Sequence, residues 1–71
     1  MLGDQIKYLR HLHKISQVKL AEEIGVTKQT VSNWENNNIM PSVELLKKLS
    51  IYFSCSTDYL LELNQGSTEL F

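Results

Sequence analysis

Only three residues, Gly25, Val26 and Thr27, separate two stretches of helical character in SQVKLAEEIGVTKQTVSNWENN, and this joint restricts the fold more than any other feature of the chain. Ser16 is a natural N-cap for the first stretch, in which Leu20, Ala21 and Ile24 share a face. Gly25 can take the left-handed conformation that stops it, and Thr27 can cap the second stretch, which runs to about Glu35. So short a connection forces the two helices to cross steeply. Ala21 and Gly25, four residues apart, are read as small so that the second stretch can approach the first.

The remainder reads as helix as well. Leu2, Ile6, Leu9 and Leu12 recur at spacings of three and four, the core-facing stripe of a first helix ending near Lys14. After NNNIMP, Ser42 can cap a fourth helix holding Val43, Leu45, Leu46, Leu49 and Phe53, with Pro41 keeping its start out of helical geometry. Ser56 can cap a fifth, TDYLLEL, with Asp58 in the first turn, where a carboxylate suits the helix dipole. No alternating apolar and polar run argues for a strand, and no internal repeat is present. The expected fold is all-α with five helices, a domain over residues 1–63 and a tail over 64–71.

With 71 residues, 42% of them apolar, the chain suffices for one modest core. A single cysteine, Cys55, excludes an internal disulfide, and no apolar run approaches the roughly 20 residues that cross a bilayer. The start, MLGDQIKYLRHLHK, lacks the apolar segment and cleavage site of a secretory signal, so a cytoplasmic location is expected. Nothing catalytic is legible: there is no paired carboxylate at an obvious pocket, no Gly-rich phosphate loop, no nucleophile with a positioned base and no cofactor motif. His11 and His13, two apart on a helix, point in different directions, poor geometry for a shared metal. Cys55 reads as a half-buried structural thiol.

Polar residues of the second stretch give the functional signal. With a step of about 100° per residue and Lys28 at zero, Val31 and Trp34 fall near 300° and 240°, the buried side. Lys28, Ser32, Gln29 and Asn33 fall near 0°, 40°, 100° and 140°, an unbroken polar arc on the other side. Such a face suits the major groove of B-DNA, which admits one α-helix: amides pair bidentately with adenine, lysine donates to guanine, and serine serves several bases. Gln17 begins the preceding helix, where its side chain can reach beside the groove while exposed N–H groups meet a phosphate. Trp34 reads as core rather than as a base-stacking platform.

Gln17, Leu20, Ala21, Gly25, Val31, Trp34 and Glu35 together resemble the helix-turn-helix signature of the phage repressor and Cro-like (XRE) family, over about Ile6 to Leu63. The resemblance implies a compact five-helix domain whose third helix reads operator DNA, usually as a homodimer on a two-fold related site. It implies base or phosphate contacts from Gln17, Thr27, Lys28, Gln29, Ser32 and Asn33, and backbone contacts from Asn36, Asn38 and Ser42. It also implies that Arg10 pairs with Glu35. Two departures stand out. Lys19 takes the place of the acidic residue that would complete a capping box with Ser16, and three asparagines occupy a loop where relatives often carry Gly or a base.

Charge and apolar surplus leave a competing class open. The net charge of −1 is low for a nucleic-acid binder, although residues 1–38 carry five bases against four acids and the rest two against four. Tyr52, Phe53, Tyr59, Leu60, Leu61, Leu63, Leu70 and Phe71 outnumber what one small core needs; core packing explains several, and Tyr59, Leu60, Leu63 and Phe71 are expected at a dimer contact. The leading expectation is a sequence-specific DNA-binding regulator, most simply a dimeric repressor. The other is a protein-interaction module, antitoxin-like or an adaptor, which would use the fifth helix and tail instead of the arc.

Overall fold

The computed structural model describes residues 1–61. Among these the chain forms five helices and no strand: α1 (Leu2–Leu12), α2 (Gln17–Ile24), α3 (Lys28–Glu35), α4 (Val43–Phe53) and α5 (Thr57–Leu60). Four of the five starts are made by a serine or threonine side chain. Ser16, Thr27, Ser42 and Ser56 accept from the backbone N–H three residues on, those of Lys19, Thr30, Leu45 and Tyr59. Each such bond satisfies a donor that the helix itself leaves unpaired, which sets the starting residue.

The helix ends need a backbone reversal. At Gly25 it is φ 90°, ψ 34°, with the glycine N–H on the Ala21 carbonyl at 2.8 Å. A Cβ there would meet nothing within 4 Å, so the expectation that Gly25 is small to admit α3 is incorrect. Its use is the positive φ, which only glycine adopts without penalty. Elsewhere non-glycine residues do the same at Lys14 (φ 58°), Asn37 (φ 60°) and Ser54 (φ 55°). Lys14 thus turns the chain after α1, which stops at Leu12 rather than Lys14, and lets the Ile15 N–H reach the Arg10 carbonyl at 3.1 Å.

The core sits between the helix pair α2–α3 and the other three helices. Ile6 and Leu9 enter it from α1, Leu20, Ala21 and Ile24 from α2, Val31 and Trp34 from α3, Leu46, Leu49 and Phe53 from α4, and Leu60 from α5. Ile6, Leu20, Val31, Leu49 and Leu60 have no exposed surface at all. Burying side chains of this size is worth about 1.5–3 kcal/mol each. Three expectations need correction. Leu12 (59% exposed) and Val43 (69% exposed) share the periodicity of their helices but stand at the surface, outside the core cluster. Leu60, expected at a dimer contact, is instead sealed into the chain's own core, because α5 folds back against α1 and α4.

One long-range contact fixes α1 against the end of α3. Gly3 is buried on α1, and its N–H donates to Asn37 Oδ1 at 2.9 Å across 34 residues of sequence. A Cβ on Gly3 would lie 2.6 Å from that oxygen, 2.9 Å from the Glu35 carbonyl and closer still to the Trp34 carbonyl. Real Cβ atoms essentially never approach so closely, so the residue must be glycine for the two helices to meet.

Candidate nucleic-acid interface

Val31 and Trp34 anchor the inner side of α3, and Lys28, Gln29, Ser32 and Asn33 lie outside that buried pair. Lys28 and Gln29 are exposed, Ser32 and Asn33 half-buried, and Thr27, Asn36, Asn38 and Ser42 exposed around them. Lys28 forms no ion pair among the described residues. Hydrogen bonds tie the arc to itself: Gln29 Nε2 donates to Asn33 Oδ1 at 3.2 Å and Asn36 Nδ2 to Ser32 Oγ at 3.4 Å. Thr27 is occupied at the cap, where its hydroxyl lies 2.9 Å from that of Thr30 and accepts from the Thr30 N–H at 3.1 Å.

The loop after α3 folds onto the helix end. Asn38 and Ile39 both donate their N–H to the Asn33 carbonyl, at 2.9 and 3.4 Å, and Asn37 donates to the Trp34 carbonyl at 3.0 Å. Of the three asparagines, Asn37 has its side-chain oxygen on Gly3 and serves the fold. Asn36 and Asn38 keep exposed side chains.

Glu35 is the one buried charged residue of the described core, and it holds the interface together. Its Oε2 accepts from Arg10 Nε at 2.6 Å, and its Oε1 accepts from Arg10 Nη2 and from Gln17 Nε2, each at 3.0 Å. Arg10 Nη1 donates to the Ile15 carbonyl at 3.0 Å. One guanidinium therefore connects α1, the residue just before the α2 cap, and the last turn of α3. Bidentate pairing fixes orientation as well as distance. The side chain expected to reach toward a groove, Gln17, is half-buried and has one N–H committed to this network. Beyond that bond the Gln17 amide still has a carbonyl oxygen and a second N–H, and the first backbone N–H groups of α2 have no acceptor within the helix.

The other groups read from sequence separate. His11 Nε2 lies 3.2 Å from Arg10 Nη2, while the His13 ring lies 5.2 Å from that of Phe53, so the two histidines turn apart. No cluster of three or more metal-ligating side chains occurs among the described residues. Cys55 is half-buried, and burial pushes its thiol above the usual range. Tyr59 is partly exposed (37%), unlike Leu60; Leu63, Phe71 and the tail over 64–71 lie outside the described residues. No described helix is long and apolar enough to cross a membrane.

Two short capped helices joined by a left-handed glycine, the second with a polar outer face, define a helix-turn-helix domain. Residues 6–60 match the helix-turn-helix family, and the chain belongs to it, in its phage repressor and Cro-like (XRE) branch. Repressor protein C2 of Salmonella phage P22 is 34% identical over 70 residues, 99% of this chain and 32% of that protein. The HTH-type transcriptional activator BcrR of Enterococcus faecalis is 34% identical over 59 residues, 83% of this chain and 29% of that protein. The chain thus spans about a third of the length of these relatives. Among solved structures, the P22 c2 repressor in complex with synthetic operator 9T superposes with a TM-score of 0.81 at 37% identity, covering 84% of this chain and 91% of that one. SinR, a master regulator for biofilm formation, in complex with DNA gives 0.79 at 37% identity, covering 86% and 98%.

Proposed function

We propose that this chain is a sequence-specific double-stranded DNA-binding transcriptional regulator that lays α3 in the major groove. The observation that carries the reading is the outward arc of Lys28, Gln29, Ser32 and Asn33 on a helix whose other side is locked by Val31, Trp34 and the Arg10–Glu35 pair. A rigid helix with donors and acceptors standing clear of the body can be laid against base edges at no ordering cost beyond its side chains. Gln17 and the α2 N-terminus take a phosphate, with Thr27, Asn36, Asn38 and Ser42 flanking the groove. The likeness to repressors solved on DNA supports this reading.

As a cytoplasmic repressor the chain acts as a homodimer on half-sites about 34–36 Å apart, one helical turn of DNA. With Leu60 withdrawn into the core, Tyr59 is the described residue of the expected contact that remains at the surface. Few cations face the DNA, so the salt dependence is shallow, about −0.9 in log–log slope per phosphate neutralised.

Selection of bound duplexes from a random pool tests the reading. A consensus should emerge, and Gln29→Ala or Asn33→Ala should lose at least about 1–3 kcal/mol on it and relax its base preference. Failure to enrich any sequence, or full affinity in both variants, would remove the DNA-binding assignment.

A further inference from the structure

The hydrogen bond between Gln29 and Asn33 divides their bonding capacity unequally. A carboxamide offers two N–H donors and a carbonyl with two lone pairs. Gln29 gives one N–H to Asn33 and keeps its carbonyl and its second N–H. Asn33 receives that bond on its carbonyl and keeps both N–H donors. One side chain is left with an acceptor beside a donor, and the other is left chiefly a donor.

Base edges in the major groove distinguish these two. Adenine presents an acceptor, N7, beside a donor, the N6 amino group; guanine presents two acceptors, thymine one acceptor, and cytosine only a donor. From this match, and resting on the DNA-binding reading above, we infer that Gln29 and Asn33 act as one reading unit. Gln29 specifies an adenine, and Asn33 specifies an acceptor-bearing base, guanine or thymine, on the neighbouring base pair.

The dimensions agree. Four residues of helix rise about 6 Å, whereas successive base pairs are about 3.4 Å apart. The 3.2 Å bond draws the two amide groups together across that helical turn, bringing their reach to a single base-pair step. Asn33 is also the more enclosed partner, half-buried where Gln29 is exposed, on a residue whose main-chain carbonyl accepts from the Asn38 and Ile39 N–H groups. It therefore holds Gln29 in the orientation that adenine requires, and the effect of removing it extends to the Gln29 base.

The experiment uses the full chain and the duplex selected from the random pool. Wild type, Gln29→Ala, Asn33→Ala and Asn33→Asp are titrated onto that duplex and onto copies in which the adenine relaxed by Gln29→Ala is replaced by 7-deazaadenine, which lacks the N7 acceptor. Wild type should weaken several-fold on the analogue, which deletes the N7 half of a bidentate pair worth about 5- to 150-fold and leaves the N6 half. Asn33→Ala should lose most of that sensitivity as well as its own base preference. Asn33→Asp keeps the acceptor for Gln29 and should retain the adenine sensitivity while losing the preference for guanine or thymine. Full analogue sensitivity in Asn33→Ala, or relaxation by Gln29→Ala at a base other than adenine, overturns the inference and leaves the DNA-binding reading standing. A wild-type chain that selects no duplex overturns both.

Discussion

Replacing Glu35 by alanine should be among the most damaging single changes in the chain. The carboxylate is buried, its side chain only 3% exposed, and it accepts from three donors: two on Arg10 and one on Gln17. Alanine leaves the Arg10 guanidinium, itself 12% exposed, with only the Ile15 carbonyl and His11 for partners, and strands the Gln17 amide. Removing one member of a buried pair costs about 3–5 kcal/mol. A 71-residue domain at about 0.05–0.15 kcal/mol per residue has roughly 4–11 kcal/mol in all. At about 4–8 °C per kcal/mol for a domain of this size, the midpoint should fall by about 12 °C or more. Thermal unfolding followed by circular dichroism and by Trp34 fluorescence measures it. Arg10→Met with Glu35→Leu, which removes both charges and keeps the volume, should recover most of the loss. A Glu35→Ala penalty below about 1 kcal/mol, the range of an exposed pair, would refute the view that this network clamps α3.

Three further outcomes follow from the packing. Gly3→Ala, which in an ordinary helix interior stabilises by about 0.5–1 kcal/mol, should instead destabilise by about 1–3 kcal/mol through overpacking against Trp34, Glu35 and Asn37, as read by urea unfolding. Leu60→Ala should cost about 2–5 kcal/mol by opening a cavity, while Tyr59→Ala on the partly exposed neighbouring position costs far less; equal losses would contradict the assignment of Leu60 to the core. Burial raises the Cys55 thiol, so less thiolate is present at a given pH and alkylation at pH 8 should be slower than for an unfolded-peptide thiol, the difference vanishing in denaturant.

Features governed by nearest neighbours along the chain were legible in the sequence. Ser16, Thr27, Ser42 and Ser56 cap the helices they were expected to cap, because a cap bond spans three residues. The inner face of α3 was legible too, since Val31 and Trp34 fix its rotation. What escaped depends on distant partners. Leu12 and Val43 fit the helical period, yet periodicity names a face without saying how far the neighbouring helix extends. Lys14 and Ser54 turn through left-handed geometry without the glycine that would announce it. The Gly3–Asn37 contact and the Gln17–Glu35 bond join residues 34 and 18 apart, and no local pattern carries either. The Arg10–Glu35 pairing came only from family resemblance.

The most direct test is an NMR titration of the isotopically labelled chain with the selected duplex. The largest shifts should fall on the Gln29 and Asn33 side-chain amides and on the Gln17 and Lys28 backbone amides, with Tyr52, Cys55 and Tyr59 little changed. Shifts concentrated on α4 and α5, with the α3 carboxamides silent, would contradict the placing of α3 in the groove.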